Sequence, residues 1–336
     1  MSEIHLSSLD PWLNVSIDYE GHPFAKPTRG KMYVNGKLVT NVTIPVSVTR
    51  INAYVFLGCT DLVSVTAHNG ITEIGDGAFE YCRSLASFDI PSSVQKIGEK
   101  AFALCMCLPY AVVPEGVSSI GTNTFEYCSA MTYVTLPSTL EFIDYSAFRS
   151  CSALTRLNIS SVKDWMGVQI RSHPFEDRNG GGHLYAGGRE VTSLTIPGGV
   201  TSIPENAFQN CVFITSASIP SGVTSIGKAA FLRCSGLKTV SLPSTLETIG
   251  ASAFNQCLSL SSIVIPEAMT SIGYAAFTGC KAMEYADVRP STPPALGYVA
   301  FDDTGDCPIY VPYSATRKYQ GAAVWEQYAS RIQAKP

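Results

Sequence analysis

"AFEYCRSL", residues 78–85, decides the fold, because the chain repeats it. A small residue, a Phe and a Cys are followed by a Leu three places after the Cys. The arrangement returns as AFALCMCL, TFEYCSAM, AFRSCSAL, AFQNCVFI, AFLRCSGL, AFNQCLSL and AFTGCKAM, and an earlier copy reads VFLGCTDL. Cysteines stand at 59, 82, 105, 128 and 151, each 23 residues after the last, and again at 211, 234, 257 and 280. Of the 11 cysteines, only Cys107 and Cys307 fall outside this column. Self-similarity at a fixed period of this length is the mark of a stacked-repeat architecture.

The unit reads outward from its cysteine. Apolar residues lie six and eight places on, as at Val134 and Leu136 or Val240 and Leu242, and they alternate with Ser, Thr or Tyr. That is the period of a strand with one buried face. A Pro nine places on (Pro91, Pro114, Pro137, Pro220, Pro243, Pro266) ends the strand, having no N–H for the ladder. Further aliphatics come at Val94 and Ile97 or Val223 and Ile226, and Gly98, Gly227, Gly250 and Gly273 read as a bend. The A-F-x-x-C segment is too short for an α-helix and reads as a 3-10 or single helical turn.

One such unit cannot bury its own apolar face, so neighbours must stack and like positions form ladders. Phe79, Phe102, Phe125, Phe148, Phe208, Phe231, Phe254 and Phe277 make one predicted core stripe. Cys82, Cys105, Cys128, Cys151, Cys211, Cys234, Cys257 and Cys280 make another. The cysteines are therefore expected to be packing thiols. One Cys per unit supplies no paired zinc ligands, and in-register side chains of adjacent strands point the same way, which disfavours disulfides between them.

Composition narrows the classes. Lys and Arg number 23 against 27 Asp and Glu, for a net charge of −4, and no basic run exists. The electrostatic footprint of a nucleic-acid binder is absent. No apolar stretch is long enough for a membrane span. The start, MSEIHLSSLDP, has neither the basic nor the apolar region of a secretory leader. Two expectations stay open: a leader preceded Ser2 in the native protein, or Met1 is native and the chain is not exported by that route.

The cysteine series breaks once. Between 151 and 211 lie 37 residues more than one unit needs. The inserted stretch, SVKDWMGVQIRSHPF (161–175) with HLYAGGREVTSLTIP (183–197), matches SLDPWLNVSIDYEGHPF (8–24) with KMYVNGKLVTNVTIP (31–45). Asn35-Gly36 and Gly187-Gly188 sit where hairpin turns belong. The expected layout is an N-terminal cap 1–42, five units 43–157, an inserted copy of the cap 158–194, four units 195–286, and a degenerate repeat with a C-terminal cap 287–336. Tyr319, Ala323, Tyr328 and Ile332 have helical spacing in that last cap, which should close the open end of the core.

The 23-residue unit with I-P, S-I-G, A-F and C resembles the BspA-like leucine-rich repeat family over about 43–311. The W…HPF…LYxxG module and the CPIYVP…W…YASRIQA ending resemble segments of surface proteins from gut Bacteroidales. The resemblance implies a leucine-rich-repeat solenoid with a parallel ladder on its concave face. It also implies surface adhesion or ligand binding in many members, and no enzymatic activity. It brings no fixed binding residues.

A search for chemistry leaves little else. His22 and His173 hold equivalent places in two modules and read as packing histidines, not metal ligands. His68 stands in a turn. No serine-hydrolase context occurs, and no catalytic group, cofactor or metal is expected. Asp302-Asp303 offers a weak calcium reading. What remains is surface. The residues five and seven after each Cys should point outward from the ladder, and most are small and polar. Tyr110, Tyr133 and Arg156 interrupt that column on three consecutive units. Tyr and Arg are enriched at binding hot spots, although aromatic residues also favour strands for their own sake. These three are the expected ligand contacts, with the loop EDRNGGG (176–182) near enough to close over a partner. The expected function is binding or adhesion at a bacterial cell surface, with a protein or glycan ligand and no nucleic acid. The alternative is a structural or receptor-binding component of a virion or secretion apparatus.

Overall fold

The computed structural model describes residues 2–24, 30–177 and 180–335. They fall in two units, Met1–Ser160 with Pro174–Asn179, and Ser161–His173 with Gly180–Pro336. In each unit a 23-residue repeat makes one coil, and like positions of neighbouring coils pair in parallel. Each unit is thus a parallel β-solenoid.

In the first unit, Tyr110–Val112, Tyr133–Thr135 and Arg156–Ile159 pair with Tyr110, Tyr133 and Arg156 in register. Their central residues Ala111, Val134 and Leu157 are buried, as the alternating pattern requires. Earlier coils add Asn41–Thr43 and Ser64–Thr66, and Ser64 bridges to Ser87. In the second unit the same ladder runs through Ser193–Thr195, Ser216–Ser218 and Thr239–Ser241.

A second ladder, which the sequence pattern does not announce, lies fourteen and fifteen residues after each cysteine. Its strands are two residues long. They include Arg50–Ile51, Glu73–Ile74 and Lys96–Ile97 in the first unit. In the second unit Ser202–Ile203, Ser225–Ile226, Thr248–Ile249, Ser271–Ile272 and Ala295–Leu296 make a five-stranded sheet. Only one residue per strand is buried, so no alternation can build up.

The predicted bend at Gly98, Gly227, Gly250 and Gly273 has a different cause. None of these glycines has positive φ; each sits where one coil touches the next. A Cβ on Gly98 would lie 2.4 Å from Asp76 N, and one on Gly273 would lie 2.4 Å from Ala251 N.

The A-F-x-x-C segment is not the expected 3-10 turn. The residue before each Cys is left-handed (Tyr81, Leu104, Tyr127, Ser150, Asn210, Arg233, Gln256), and so is the residue five before it (Lys100, Asn123, Ser146, Asn206, Ala229, Ser252, Ala275). A 3-10 helix cannot pass through such residues. Backbone donors alternate instead. Phe102 N–H reaches Thr124 C=O of the next coil at 2.9 Å, while Ala103 N–H folds back on Lys100 C=O of its own coil at 2.9 Å. This third side of the coil is as fully bonded as a sheet.

The phenylalanines stack within each unit. Phe56, Phe79, Phe102, Phe125 and Phe148 follow one another at 5.3–5.4 Å between ring centroids, with planes within 13° of parallel. Phe208, Phe231, Phe254, Phe277 and Phe301 stack likewise at 5.2–5.4 Å, with planes within 23° of parallel. Burial of each such ring contributes about 2–3 kcal/mol.

The cysteines beside them do more than fill space. Cys82, Cys105, Cys128 and Cys151 donate S–H to the carbonyls of Phe56, Phe79, Phe102 and Phe125 at 3.0–3.2 Å. Cys234, Cys257 and Cys280 do the same to Phe208, Phe231 and Phe254. Each carbonyl already accepts the N–H of the cysteine in its own coil, as Phe79 does from Cys82 at 3.0 Å. The thiol therefore fills the carbonyl's second lone pair. Burial pushes the Cys59 and Cys151 thiols up to about 12 and the rest of the column well above the ordinary range, so they stay protonated donors. All 11 cysteines are free; Cys307 is buried and Cys107 exposed.

Along the phenylalanine side the inter-coil N–H groups point toward the next coil, as Phe79 does to Ala101 and Phe231 to Ala253. The first coil of a unit therefore has carbonyls in need of donors, and the last coil has an N–H in need of an acceptor. The W…HPF modules supply the donor. Short helices Asp10–Leu13 and Val162–Trp165 carry the tryptophans. Trp12 Nε1–H reaches Val55 C=O at 2.8 Å, and Trp165 Nε1–H reaches Ala207 C=O at 2.7 Å. Each carbonyl belongs to the residue before the first stacked Phe of its unit. At the far end Phe301 N–H donates to the Tyr328 hydroxyl at 3.1 Å, which in turn donates to Asp302. An indole can only donate and a phenol oxygen can accept, so the two residues suit opposite ends.

The C-terminal cap is less helical than its spacing suggests. A helix Thr316–Gln320 stops at Gly321, Val324 is left-handed at φ 67°, and a 3-10 turn Trp325–Tyr328 follows. Ile332 lies not on a helix but on the strand Ile332–Ala334, which pairs with Ile309–Val311. Tyr319 and Trp325 are buried and donate to Pro290 C=O and Pro294 C=O, both at 2.8 Å.

Candidate functional site

The strand ladder brings Tyr110, Tyr133 and Arg156 side by side on the outer face of the first unit's sheet. Column six is buried beneath them, so columns five and seven can only face out. The tyrosine rings stack on one another, 5.1 Å apart and 5° from parallel. The Tyr110 hydroxyl donates to Asp89 Oδ1 at 2.8 Å, one coil back. That hydrogen bond, and then the carboxylate's charge, raise the Tyr110 phenol above its ordinary range. On the other side Arg156 Nε donates to Asn158 Oδ1 at 2.7 Å, and Asn158 Nδ2 donates to Thr135 Oγ1 at 3.1 Å. Asp89, Tyr110, Tyr133 and Arg156 thus form one row, tethered at both ends by hydrogen bonds. Val112, 45 % exposed, flanks it.

Sequence reasoning finds the three column-five residues but misses Asp89 and Asn158. Both belong to column seven, and their part depends on side-chain direction. Asp89 stands 21 residues from Tyr110, just short of one full repeat, which is the signal for a diagonal contact between coils.

Elsewhere in the first unit a cleft of about 350 Å³ is lined by Tyr127, Phe148, Ser150, Pro174 and Asp177 among others. Its carboxylate is engaged, since Ser150 N–H donates to Asp177 Oδ2 at 3.2 Å. Of the loop expected to close over a partner, Arg178 and Asn179 lie outside the described residues.

The histidines pack against their modules' tryptophans. His22 meets Trp12 edge to face at 5.9 Å and His173 meets Trp165 at 6.1 Å. His22 Nδ1 accepts the Phe24 N–H at 3.0 Å, which leaves the proton of the neutral ring on Nε2. Burial lowers His22 to about 4 and His173 to about 3. Among the described residues no group of three or more His, Cys, Asp or Glu is placed to hold a metal ion. No helix among them is long and apolar enough to cross a membrane.

The profile of the BspA type leucine rich repeat region matches residues 30–155 and 181–292, in six copies. The chain belongs to the BspA-type leucine rich repeat family. Its coils are leucine-rich repeats and each unit is a leucine-rich-repeat solenoid. A leucine rich cell surface protein of Faecalibacterium prausnitzii is similar at 26 % identity and a TM-score of 0.54, over 100 % of this chain and 87 % of that one. A leucine-rich repeat protein of Bacteroides ovatus aligns at 21 % identity and a TM-score of 0.53, over 89 % and 84 % of the two chains. The pneumococcal vaccine antigen PcpA aligns at 17 % identity and a TM-score of 0.57, over 91 % and 87 %. The last two share the fold. No curated protein sequence matches this one.

Proposed function

We propose that this leucine-rich-repeat protein is a non-enzymatic binding or adhesion protein of a bacterial cell surface, and that it engages a protein or glycan through the row centred on Tyr110, Tyr133 and Arg156. The observation that carries the reading is the stacked tyrosine pair with its tethered arginine, in a column whose earlier members in this unit, Ser64 and Ser87, are small. Two rigid aromatic side chains and an oriented guanidinium lose little conformational entropy on binding. The similarity to a cell surface protein of F. prausnitzii supports the surface location.

The test compares the parent with a triple variant, Tyr110→Ser, Tyr133→Ser and Arg156→Ser, against panels of host proteins and glycans. Ser already fills this column at Ser64, Ser87, Ser216 and Ser262, so the variant should melt normally. A partner whose binding falls at least tenfold, equal to about 1.4 kcal/mol, supports the site. Equal binding by parent and variant across the panels refutes it. Protease shaving of intact source cells tests the location.

A further inference from the structure

The row on the first unit's outer face has an electrical direction. A carboxylate, Asp89, stands at one end, two stacked phenols in the middle, and a guanidinium, Arg156, at the other. Three coil steps of ~4.8 Å and a two-residue offset along the strand separate Asp89 from Arg156, a diagonal on the order of 16 Å. An extended backbone covers that diagonal in about four to five residues at ~3.4 Å each, and because its period of two turns only even spacings to one side, i and i+4 is the spacing that fits.

The tyrosines narrow the occupant further. Each ring turns one face to the other, so those two faces are closed to a ligand, and the side of the stack turned away from the sheet presents ring edges and hydroxyls. Edges carry the positive part of the ring quadrupole and hydroxyls both donate and accept, which matches the carbonyls and amides of a peptide backbone.

Resting on the function proposed above, we infer that the ligand is an extended peptide segment of a partner protein. It lies along the row with a basic side chain over Asp89 and, four residues away, an acidic side chain over Arg156. Charge complementarity at the two ends sets its register, and the tyrosines contact its backbone.

The experiment pans the full chain with a displayed library of short random peptides, in parallel with the Arg156→Glu variant and with a Tyr110→Ser/Tyr133→Ser variant. All three are first shown to melt alike. The expected result is enrichment of sequences with a basic and an acidic residue four apart, which bind at least fivefold better than isomers with the same residues three apart. Arg156→Glu should switch the enriched pattern to basic residues at both positions. Sequences that depend on the row but lack such spacing would overturn this inference and leave the proposed function standing. So would row-dependent capture of glycans with no peptide enriched. If nothing captured depends on Tyr110 and Tyr133, both fail.

Discussion

Trp165 Nε1–H donates to Ala207 C=O in the place where, one coil later, Phe208 N–H donates to Ala230 C=O. Trp12 holds the same relation to Val55 in the first unit. A side chain thus stands in for the backbone of a coil that is not there. Replacing Trp165 by Phe keeps an aromatic ring but removes the donor and leaves a buried carbonyl unsatisfied. The expected loss is about 1–3 kcal/mol, read from urea denaturation. An unchanged midpoint would show that the indole only fills space.

At the other end Tyr328→Phe removes the acceptor for Phe301 N–H. A loss of about 1–3 kcal/mol is expected here too. Amide exchange supplies a local readout: the Phe301 N–H should lose protection while Phe231 N–H, bonded to Ala253, keeps it.

Phe231 is fully buried between two stacked neighbours. Phe231→Ala should cost about 3–5 kcal/mol. Thermal melts that overlay the parent would contradict the stacked core.

The thiols of the repeat column are buried, protonated and bonded, so a native-state alkylating reagent should modify Cys107 and spare the column. All 11 should react in denaturant. Mass spectrometry of the labelled peptides decides it, and rapid native labelling of Cys105 or Cys128 is the contrary result.

His22 and His173 give the stability a pH dependence. Folding lowers both, so the unfolded chain takes up protons first as the pH falls. Their contribution is complete above about pH 6.5, where the free ring is neutral. It is lost as the pH falls toward about 4 for His22 and about 3 for His173. Through the shared window each histidine should steepen the fall by roughly 1.4 kcal/mol per pH unit. His22→Asn keeps an acceptor near the Nδ1 position and cannot titrate. Denaturation curves at neutral and mildly acidic pH should show a shallower slope for it, and an identical slope would remove His22 from the account.

The stacked core was legible because a repeat writes the same constraint many times: nine cysteines at one spacing locate the Phe, Cys and central strand columns at once. The second ladder was not, since a two-residue strand such as Lys96–Ile97 is too short to show a period. The left-handed corners were hidden as well, because residues as different as Lys100, Asn123 and Ala229 fill them. There the inter-coil hydrogen bonds, not intrinsic preference, fix the conformation. Of the candidate site, the column of Tyr110, Tyr133 and Arg156 could be read directly. The ring-to-ring stacking and the tether to Asp89 could not, because they are set by side-chain rotamers on a neighbouring coil.

The terminators at the two ends bear on how such a gene changes. Within the second unit, Trp165 recognises only the carbonyl of the first coil, and Tyr328 only the N–H of the last one. Neither reads how many coils lie between. A replication slip that duplicates or drops one 23-residue cassette leaves both terminators with the partner they require. Array length is then free to drift between lineages in whole cassettes, each adding or removing ~4.8 Å of ladder.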